Sequence, residues 1–360
     1  MTTVDVRLDP PYRVTIGAGA LAQAAQHCAA YSKVALVADR RVIELHGSQL
    51  GDLSQAPCLE IVGGEAAKRF GPLAQVLDFF AAEALDRQSV VVTLGGGTIG
   101  DLGGLAASLY KRGIAVVHLP TTLLSQVDAA VGGKTAINLD AGKNLVGTFH
   151  QPSAVIADTA TLSTLDAVDW RSGLGEVVKT AIIAGEEQLA FLEQSAALLR
   201  ARDPRAIDEV VALCVRAKAA VVADDATERG PRRSLNLGHT FAHGIEHAAS
   251  FDAVPHGLAV AVGLRLAVRA SARVGLLEAP NLETRLVNLL VQLDLPTSLA
   301  ELEALSTQDG SAAERVLDGM AHDKKGAVGT PEFVLPLRPG ELRLGVPMER
   351  ADLLEILRSV

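Results

Sequence analysis

Val4-Asp5-Val6-Arg7-Leu8 and Tyr12-Arg13-Val14-Thr15-Ile16 alternate apolar and polar side chains on either side of Asp9-Pro10-Pro11, so the chain opens on a β-hairpin. After glycines at 17 and 19, an alanine-rich segment reads as a helix. Short apolar runs then appear at 33–39, 89–94, 114–119 and 154–158, each bounded by glycine or polar residues. Continuous runs of this kind are the mark of strands buried on both faces, and their alternation with helical stretches predicts a parallel sheet with crossover helices. From about residue 165 the pattern changes. Segments 189–202, 206–226, 258–274 and 281–293 carry helical periodicity with few strand signals. The expected architecture is therefore an α/β, Rossmann-like domain over 1–165 and an all-α domain over 166–360.

Composition narrows the class. A chain of 360 residues, 49% of them hydrophobic, is long enough for two cores. Aromatic residues make up only 3% and the formal charge is −9, so recognition of nucleic acid by base stacking or by a basic face is not expected. Any anionic ligand must meet a local cluster of lysine and arginine. Cys28, Cys58 and Cys214 are far apart and form no CxxC pair, so neither a disulfide framework nor a thiolate metal site is indicated. The N-terminus has no signal-peptide pattern and no apolar run reaches membrane length, so a cytoplasmic protein without membrane contact is expected.

The strand ending at Leu94 runs into Gly95-Gly96-Gly97-Thr98-Ile99-Gly100-Asp101. Glycines at 95, 97 and 100 have the GxGxxG spacing that lets backbone N–H groups approach a pyrophosphate at a helix N-terminus. The acid expected about 20 residues later is missing, since Leu119-Pro120-Thr121-Thr122 occupies that place, so an ordinary Rossmann unit is not indicated. Asp39, at the end of an earlier strand, and Glu65 are alternative partners for a ribose or adenine, or else plain surface polarity. Lys134 in Val131-Gly132-Gly133-Lys134 and Lys143 in Gly142-Lys143-Asn144 each pair an ammonium with glycine backbone. Arg112, Lys134 and Lys143 fall within 32 residues of an acidic chain, which points to an anionic, phosphorylated ligand.

His239, His243 and His247 stand four apart on one face of a helical segment, the spacing of metal ligands. Histidines hydrogen-bonded within a half-buried helix would look the same. Thr240 follows the first histidine where zinc peptidases carry glutamate. Glu176, in the apolar stretch Gly173-Leu174-Gly175-Glu176-Val177-Val178-Lys179, needs a partner because an unpaired buried carboxylate is costly. It either pairs with Lys179 or gives oxygen to a metal that His239 also binds. His256 begins another apolar helix and would complete a Glu-His-His set, the ligand pattern of a catalytic zinc site with an open position.

Taken in order, GGGTIGD from 95, RG at 112, LPTTLL from 119, VDAAVGGKT from 127, GKNLVG from 142, GEVVK from 175, LNLGHT from 235, PHG from 255 and DKK from 323 resemble the 3-dehydroquinate synthases, sugar-phosphate cyclases of the shikimate pathway. The resemblance implies an active site in the cleft between an NAD-binding domain and a helical domain. A divalent metal, zinc or cobalt, is implied at Glu176, His239 and His256, with His243 handling a proton and His247 structural. Substrate contacts are implied at Arg112, Asp128, Lys134, Asn144, Lys179, Lys218, Arg232, Asn236, Lys324 and Lys325. Of these, Lys134, Asn144, Lys179, Arg232 and Asn236 join His243 in the catalytic set. NAD is implied at Asp39, Glu65, Lys68, Gly97, Thr98, Ile99, Gly100, Asp101, Thr121, Thr122, Lys143, Thr161, Leu162, Ser163 and Thr164.

The implied reaction turns 3-deoxy-D-arabino-heptulosonate 7-phosphate into 3-dehydroquinate and phosphate by transient oxidation, phosphate elimination, reduction and aldol closure, within a homodimer. Ala129 and Ala130 replace two serines common in the family, Gly175 a common alanine, Ala242 a common glycine and Leu258 a frequent glutamate. The changes beside Asp128 and at Leu258 leave another sugar-phosphate cyclase as an alternative. A metal-dependent alcohol dehydrogenase and a non-catalytic NAD- or metabolite-binding protein are the others.

Overall fold

The computed structural model describes residues 1–249, 253–302, 305, 311–322 and 331–360. The chain divides into two compact units, Met1–Asp166 with Ile207–Thr227, and Ala167–Ala206 with Glu228–Val360.

In the first unit the elements run β1 (Thr2–Val6), β2 (Tyr12–Ile16), α1 (Ala24–Cys28), β3 (Val34–Asp39), α2 (Arg40–His46), β4 (Cys58–Ile61), α3 (Phe70–Ala82), β5 (Val90–Gly95), α4 (Gly97–Leu109), β6 (Ala115–Pro120), β7 (Lys134–Leu139), β8 (Gly142–Phe149) and β9 (Ala154–Ala157). A seven-stranded sheet has the order β1-β2-β9-β6-β5-β3-β4. The opening hairpin is antiparallel, and β2 joins β9, β6, β5, β3 and β4 in parallel. Val91 of β5 packs with Val76, Phe80, Leu102 and Leu105 on one face, whereas Val90 and Val92 pack with Leu21, Leu36 and Ile156 on the other. Two buried faces explain why the run at 89–94 shows no polar alternation.

The hairpin β7–β8, which the glycines at 132–133, 142 and 147 conceal in the sequence, was not anticipated. Helix α7 (Pro204–Asp224) belongs to the first unit from Ile207 onward, although its periodicity alone reads as part of a helical half.

The second unit contains α5 (Ala167–Ala184), α6 (Glu186–Arg200), α8 (His239–Ala248), α9 (His256–Arg273), α10 (Leu282–Gln292), α11 (Ala312–His322) and α12 (Arg350–Arg358). It also carries an antiparallel hairpin, β10 (Glu332–Arg338) with β11 (Glu341–Pro347), inside the half read as all-helical. Pro336 within β10 is the reason that strand is not legible, since proline argues against a ladder position.

Three of the helix crossings bring backbones together at glycines. A Cβ on Gly175 of α5 would lie 2.0 Å from the Gly257 carbonyl of α9, and one on Gly257 would lie 1.7 Å from the carbonyl of Ser172. A Cβ on Gly263 of α9 would sit 2.4 Å from the carbonyl of Gly238, and one on Gly319 of α11 would sit 2.6 Å from that of Gly244 in α8. Helix α8 is thus gripped by α9 on one side and α11 on the other.

Candidate active site

The strand order of the first unit reverses between β3 and β5, and ligands of open α/β sheets bind beyond the carboxyl ends of strands at such a point. Here Asp39 ends β3 and Gly95 ends β5. A Cβ on Gly95 (φ 158°) would meet Ile99 Cγ1 at 2.8 Å and Asp39 Cβ at 3.2 Å, so the turn into α4 is packed without room for a side chain. Gly100 has space, whereas Cβ atoms on Gly103 and Gly104 would lie 2.5 Å from Thr93 Cγ2 and 2.6 Å from Thr135 Cγ2. Close packing of α4 therefore falls to glycines beyond the GxGxxG run. A pocket under this turn is lined by Thr93, Gly95, Gly96, Gly97, Gly100, Asp101, His118, Pro120, Ser125, Ala129, Ala130 and Lys134.

Asp39 caps α2, its Oδ1 accepting from the Arg41 and Val42 N–H groups at 2.8 and 3.3 Å. Lys68 is buried, and its Nζ donates to Asp101 Oδ2 at 2.6 Å and Asn144 Oδ1 at 2.5 Å. Burial holds the Asp101 carboxyl above its usual range, and the Lys68 ammonium opposes that rise. Asn138, which no sequence motif marks, donates to Glu65 Oε2 at 2.7 Å and accepts from the Asn144 N–H at 2.8 Å. Glu65, Lys68, Asp101 and Asn144 therefore come together through one hydrogen-bond network. Asn144 and Arg112 have left-handed backbone, φ 56° and 69°, a conformation uncommon outside glycine.

Thr121 and Thr122 follow β6, and Thr161, Leu162, Ser163 and Thr164 lie in the 3₁₀ segment Thr159–Thr164. Gln126, fully buried, donates to the carbonyls of Pro120 and Asp158 at 3.0 and 2.9 Å and so links the two segments. Asp128 lies in a π-helical turn, Ser125–Ala129, a rare geometry frequent at functional positions. Lys218 of α7 bonds its carboxylate, and its backbone carbonyl at 2.7 Å. Lys134 opens β7 opposite Phe149, whereas Lys143 lies next to the turn at the other end of the hairpin. Four residues of strand, roughly 14 Å, separate their backbones.

In the second unit, Glu176, His239 and His256 converge, with one ligand atom from each inside a common 4.8 Å span. Glu176 is fully buried in α5. Its Oε2 pairs with Lys179 one turn on, while Oε1 lies 3.6 Å from His239 Nε2 and 3.2 Å from His256 Nε2. Both partners considered for Glu176, the lysine and the histidines, are thus present on different oxygens. His239 Nδ1 is 3.2 Å from the Leu237 carbonyl and His256 Nδ1 is 3.3 Å from Glu246 Oε1. Acceptors at both Nδ1 atoms leave both Nε2 atoms directed at the carboxylate.

Burial, reinforced by the Lys179 charge, holds His239 well below the ordinary histidine pKa. Burial also opposes charge on His256, but hydrogen bonds from its ring to the Glu176 and Glu246 carboxylates outweigh it and raise that ring to about 10. Two nitrogens and an oxygen with opposite proton demands fit a cation better than they fit one another.

The row of histidines divides. The His243 ring is 5.7 Å from that of His239 and 6.3 Å from that of His256, beside the cluster, while His247 packs at the α11 crossing, where a Cβ on Gly319 would lie 3.1 Å from its own. Lys179 and Arg232 are buried, and Asn236 Nδ2 donates to Glu228 Oε1 at 2.9 Å. Lys324 and Lys325 lie outside the described residues.

Comparison with known proteins gives the site its context. Residues 58–172 match the family described as 3-dehydroquinate synthase N-terminal, and 173–326 match 3-dehydroquinate synthase C-terminal. A 3-dehydroquinate synthase of Rhodopseudomonas palustris (strain ATCC BAA-98 / CGA009) is 41% identical over 367 aligned residues, covering 99% of this chain and 96% of the relative. Among solved structures, a 2-deoxy-scyllo-inosose synthase complexed with carbaglucose-6-phosphate, NAD+ and Co2+ is 25% identical with a TM-score of 0.86, covering 99% of this chain and 100% of that one. The 2-epi-5-epi-valiolone synthase of Streptomyces hygroscopicus subsp. jinggangensis 5008, with NAD+ and Zn2+ bound, is 29% identical with a TM-score of 0.84, covering 97% and 96%. A Glu-His-His cluster built on a buried glutamate, a glycine turn at a sheet reversal and a match running nearly end to end have one common explanation: the chain belongs to the 3-dehydroquinate synthase family.

Proposed function

We propose that this lyase converts 3-deoxy-D-arabino-heptulosonate 7-phosphate into 3-dehydroquinate and phosphate, using NAD and one divalent metal, zinc or cobalt. The observation that carries the site assignment is the Glu176 carboxylate oxygen facing two imidazole Nε2 atoms whose Nδ1 atoms are turned to other acceptors. Glu176, His239 and His256 would hold the metal. When bound, the metal would lower the pKa of a substrate hydroxyl, and NAD+ would take up a hydride and give it back.

The chain's own residues supply the rest. Lys179, paired with Glu176, and the buried Arg232 guanidinium offer positive charge to a doubly anionic substrate. Asn236 orients a hydroxyl. His243, beside the metal ligands, is placed to move a proton. In the first unit, Lys218 fixes the Asp128 carboxylate for a substrate contact, with Arg112 and Lys134 as further cations. Glu65, Lys68, the turn Gly97 to Asp101, and Asp39, Thr121, Thr122, Lys143 and the Thr161 to Thr164 segment form the proposed NAD site, and Asn144, which accepts from Lys68, is kept as a substrate contact. Lys324 and Lys325 are assigned to the phosphate by family resemblance.

Ala129, Ala130 and Leu258 bear on which cyclase substrate is used. Identity of 41% to a dehydroquinate synthase, against 25% and 29% to two other cyclases, favours the heptulosonate phosphate. The test is turnover of that compound against its amino analogue and sedoheptulose 7-phosphate; preference for either of the latter would overturn the assignment. We further propose a homodimer in the cytoplasm, supported by the family resemblance and checked by sedimentation and fractionation. Among the described residues no helix is long and apolar enough to cross a membrane.

A further inference from the structure

Helix α8 reaches the candidate metal centre twice. His239, its first residue, faces Glu176 directly. Seven residues later, two turns along the same face, Glu246 is 5% exposed and its Oε1 lies 3.3 Å from Nδ1 of His256, the first residue of α9. The Nε2 of that ring is 3.2 Å from Glu176. A neutral imidazole has one N–H to give, and a carboxylate only accepts. Where Nε2 gives its lone pair to a metal, the one proton of a neutral His256 must lie on Nδ1, and Glu246 is there to accept it.

The two histidines are anchored differently. His239 Nδ1 meets the uncharged carbonyl of Leu237, whereas His256 Nδ1 meets a carboxylate. Both rings stand at the first position of a helix, where unpaired N–H groups and the dipole disfavour positive charge on them; at His256 an anion on the far nitrogen offsets that. The glycine contact between Gly238 and Gly263 brings α8 and α9 to backbone distance, which is what lets a glutamate side chain on one reach a histidine on the other.

We propose that Glu246 is a positioning residue that fixes the tautomer and orientation of His256 and strengthens it as a metal ligand, an inference that rests on Glu176, His239 and His256 being the ligand set. Carboxylates that hold ligating histidines in this way contribute 10- to 100-fold in metal affinity. Glu246 is absent from the residues that motif and family resemblance single out, because its contact depends on the crossing of two helices.

The test uses full-length protein stripped of metal and titrated with Co2+ in competition with a chelator. Glu246→Gln, nearly isosteric, is expected to raise the dissociation constant on the order of 10- to 100-fold and to alter the visible Co2+ band, with little change in the unfolding midpoint of the metal-free protein. Glu246→Asp, which withdraws the carboxylate by one methylene, gives a second reading and is expected to weaken binding as well. His239→Ala serves as the reference. Wild-type Co2+ affinity and spectrum in both Glu246 variants, with binding lost in His239→Ala, would overturn the role of Glu246 and leave the ligand set standing. Wild-type binding in His239→Ala would overturn the ligand set, and the inference with it.

Discussion

At the scale of single residues, the chemistry depends on a few buried charges whose partners decide their protonation. His239→Ala removes one of two imidazole nitrogens from Glu176; metal content, read by elemental analysis, should fall to near zero and activity to about 1% of wild type or less. Full metal occupancy with normal turnover would show that His239 is not a ligand. His118 gives a prediction independent of the metal. It is buried beneath the glycine turn with Nδ1 at 2.7 Å from Thr93 Oγ1, and burial, helped by His150, lowers its pKa to about 4. Because the folded value lies below the unfolded one near 6.5, its contribution is complete above that pH and is lost as pH falls from 6.5 through about 4. The loss is about 3 kcal/mol. Urea titrations of His118→Gln between pH 7 and 4 should show a shallower decline than wild type; an identical slope would contradict the assignment. Glu176, His239 and His256 were visible in the sequence as a candidate set, and the resemblance implied the same three. Glu246, Asn138 and Gln126 were not, since each acts on residues it meets only through tertiary packing.

At the scale of elements, the buried strands were legible because a strand covered on both faces has no choice but to be apolar along its length. Hairpins β7–β8 and β10–β11 were not, because glycine in the first and proline in the second break the pattern that marks a strand. The helices were legible from their period, but not where they touch. Those contacts are glycine-to-backbone, and glycine leaves no hydrophobic signal. They also set the metal geometry, since α5 supplies Glu176, α8 supplies His239 and α9 supplies His256. A methyl at 257 would lie 1.7 Å from the Ser172 carbonyl and displace α9 from α5. Gly257→Ala should therefore cost roughly 3 kcal/mol or more in urea unfolding of the metal-free protein, and weaken metal binding in the same sample. Wild-type values for both would mean that the crossing adapts without moving the ligands.

At the scale of the whole molecule, the two-part plan was legible from the change of period near residue 165, but the attachment of Ile207–Thr227 to the first unit was not. A helical period shows that a segment is a helix and says nothing of which core receives it. There, Lys218 meets Asp128 and Asp208 accepts from Thr159 at 2.5 Å. The division of labour that results is a parallel-sheet unit with a glycine turn at its strand reversal, and a helical unit with a Glu-His-His cluster. In the proposed reaction hydride taken from the substrate returns to it, so that the chemistry is a cyclisation with no net redox change. The most direct measurement follows inorganic phosphate and near-ultraviolet absorbance together, in enzyme loaded with metal and NAD+ and given the heptulosonate phosphate. Phosphate should be released in step with substrate loss while reduced nicotinamide stays no higher than the enzyme concentration; sustained growth of that absorbance with turnover would contradict the account and make the chain a dehydrogenase.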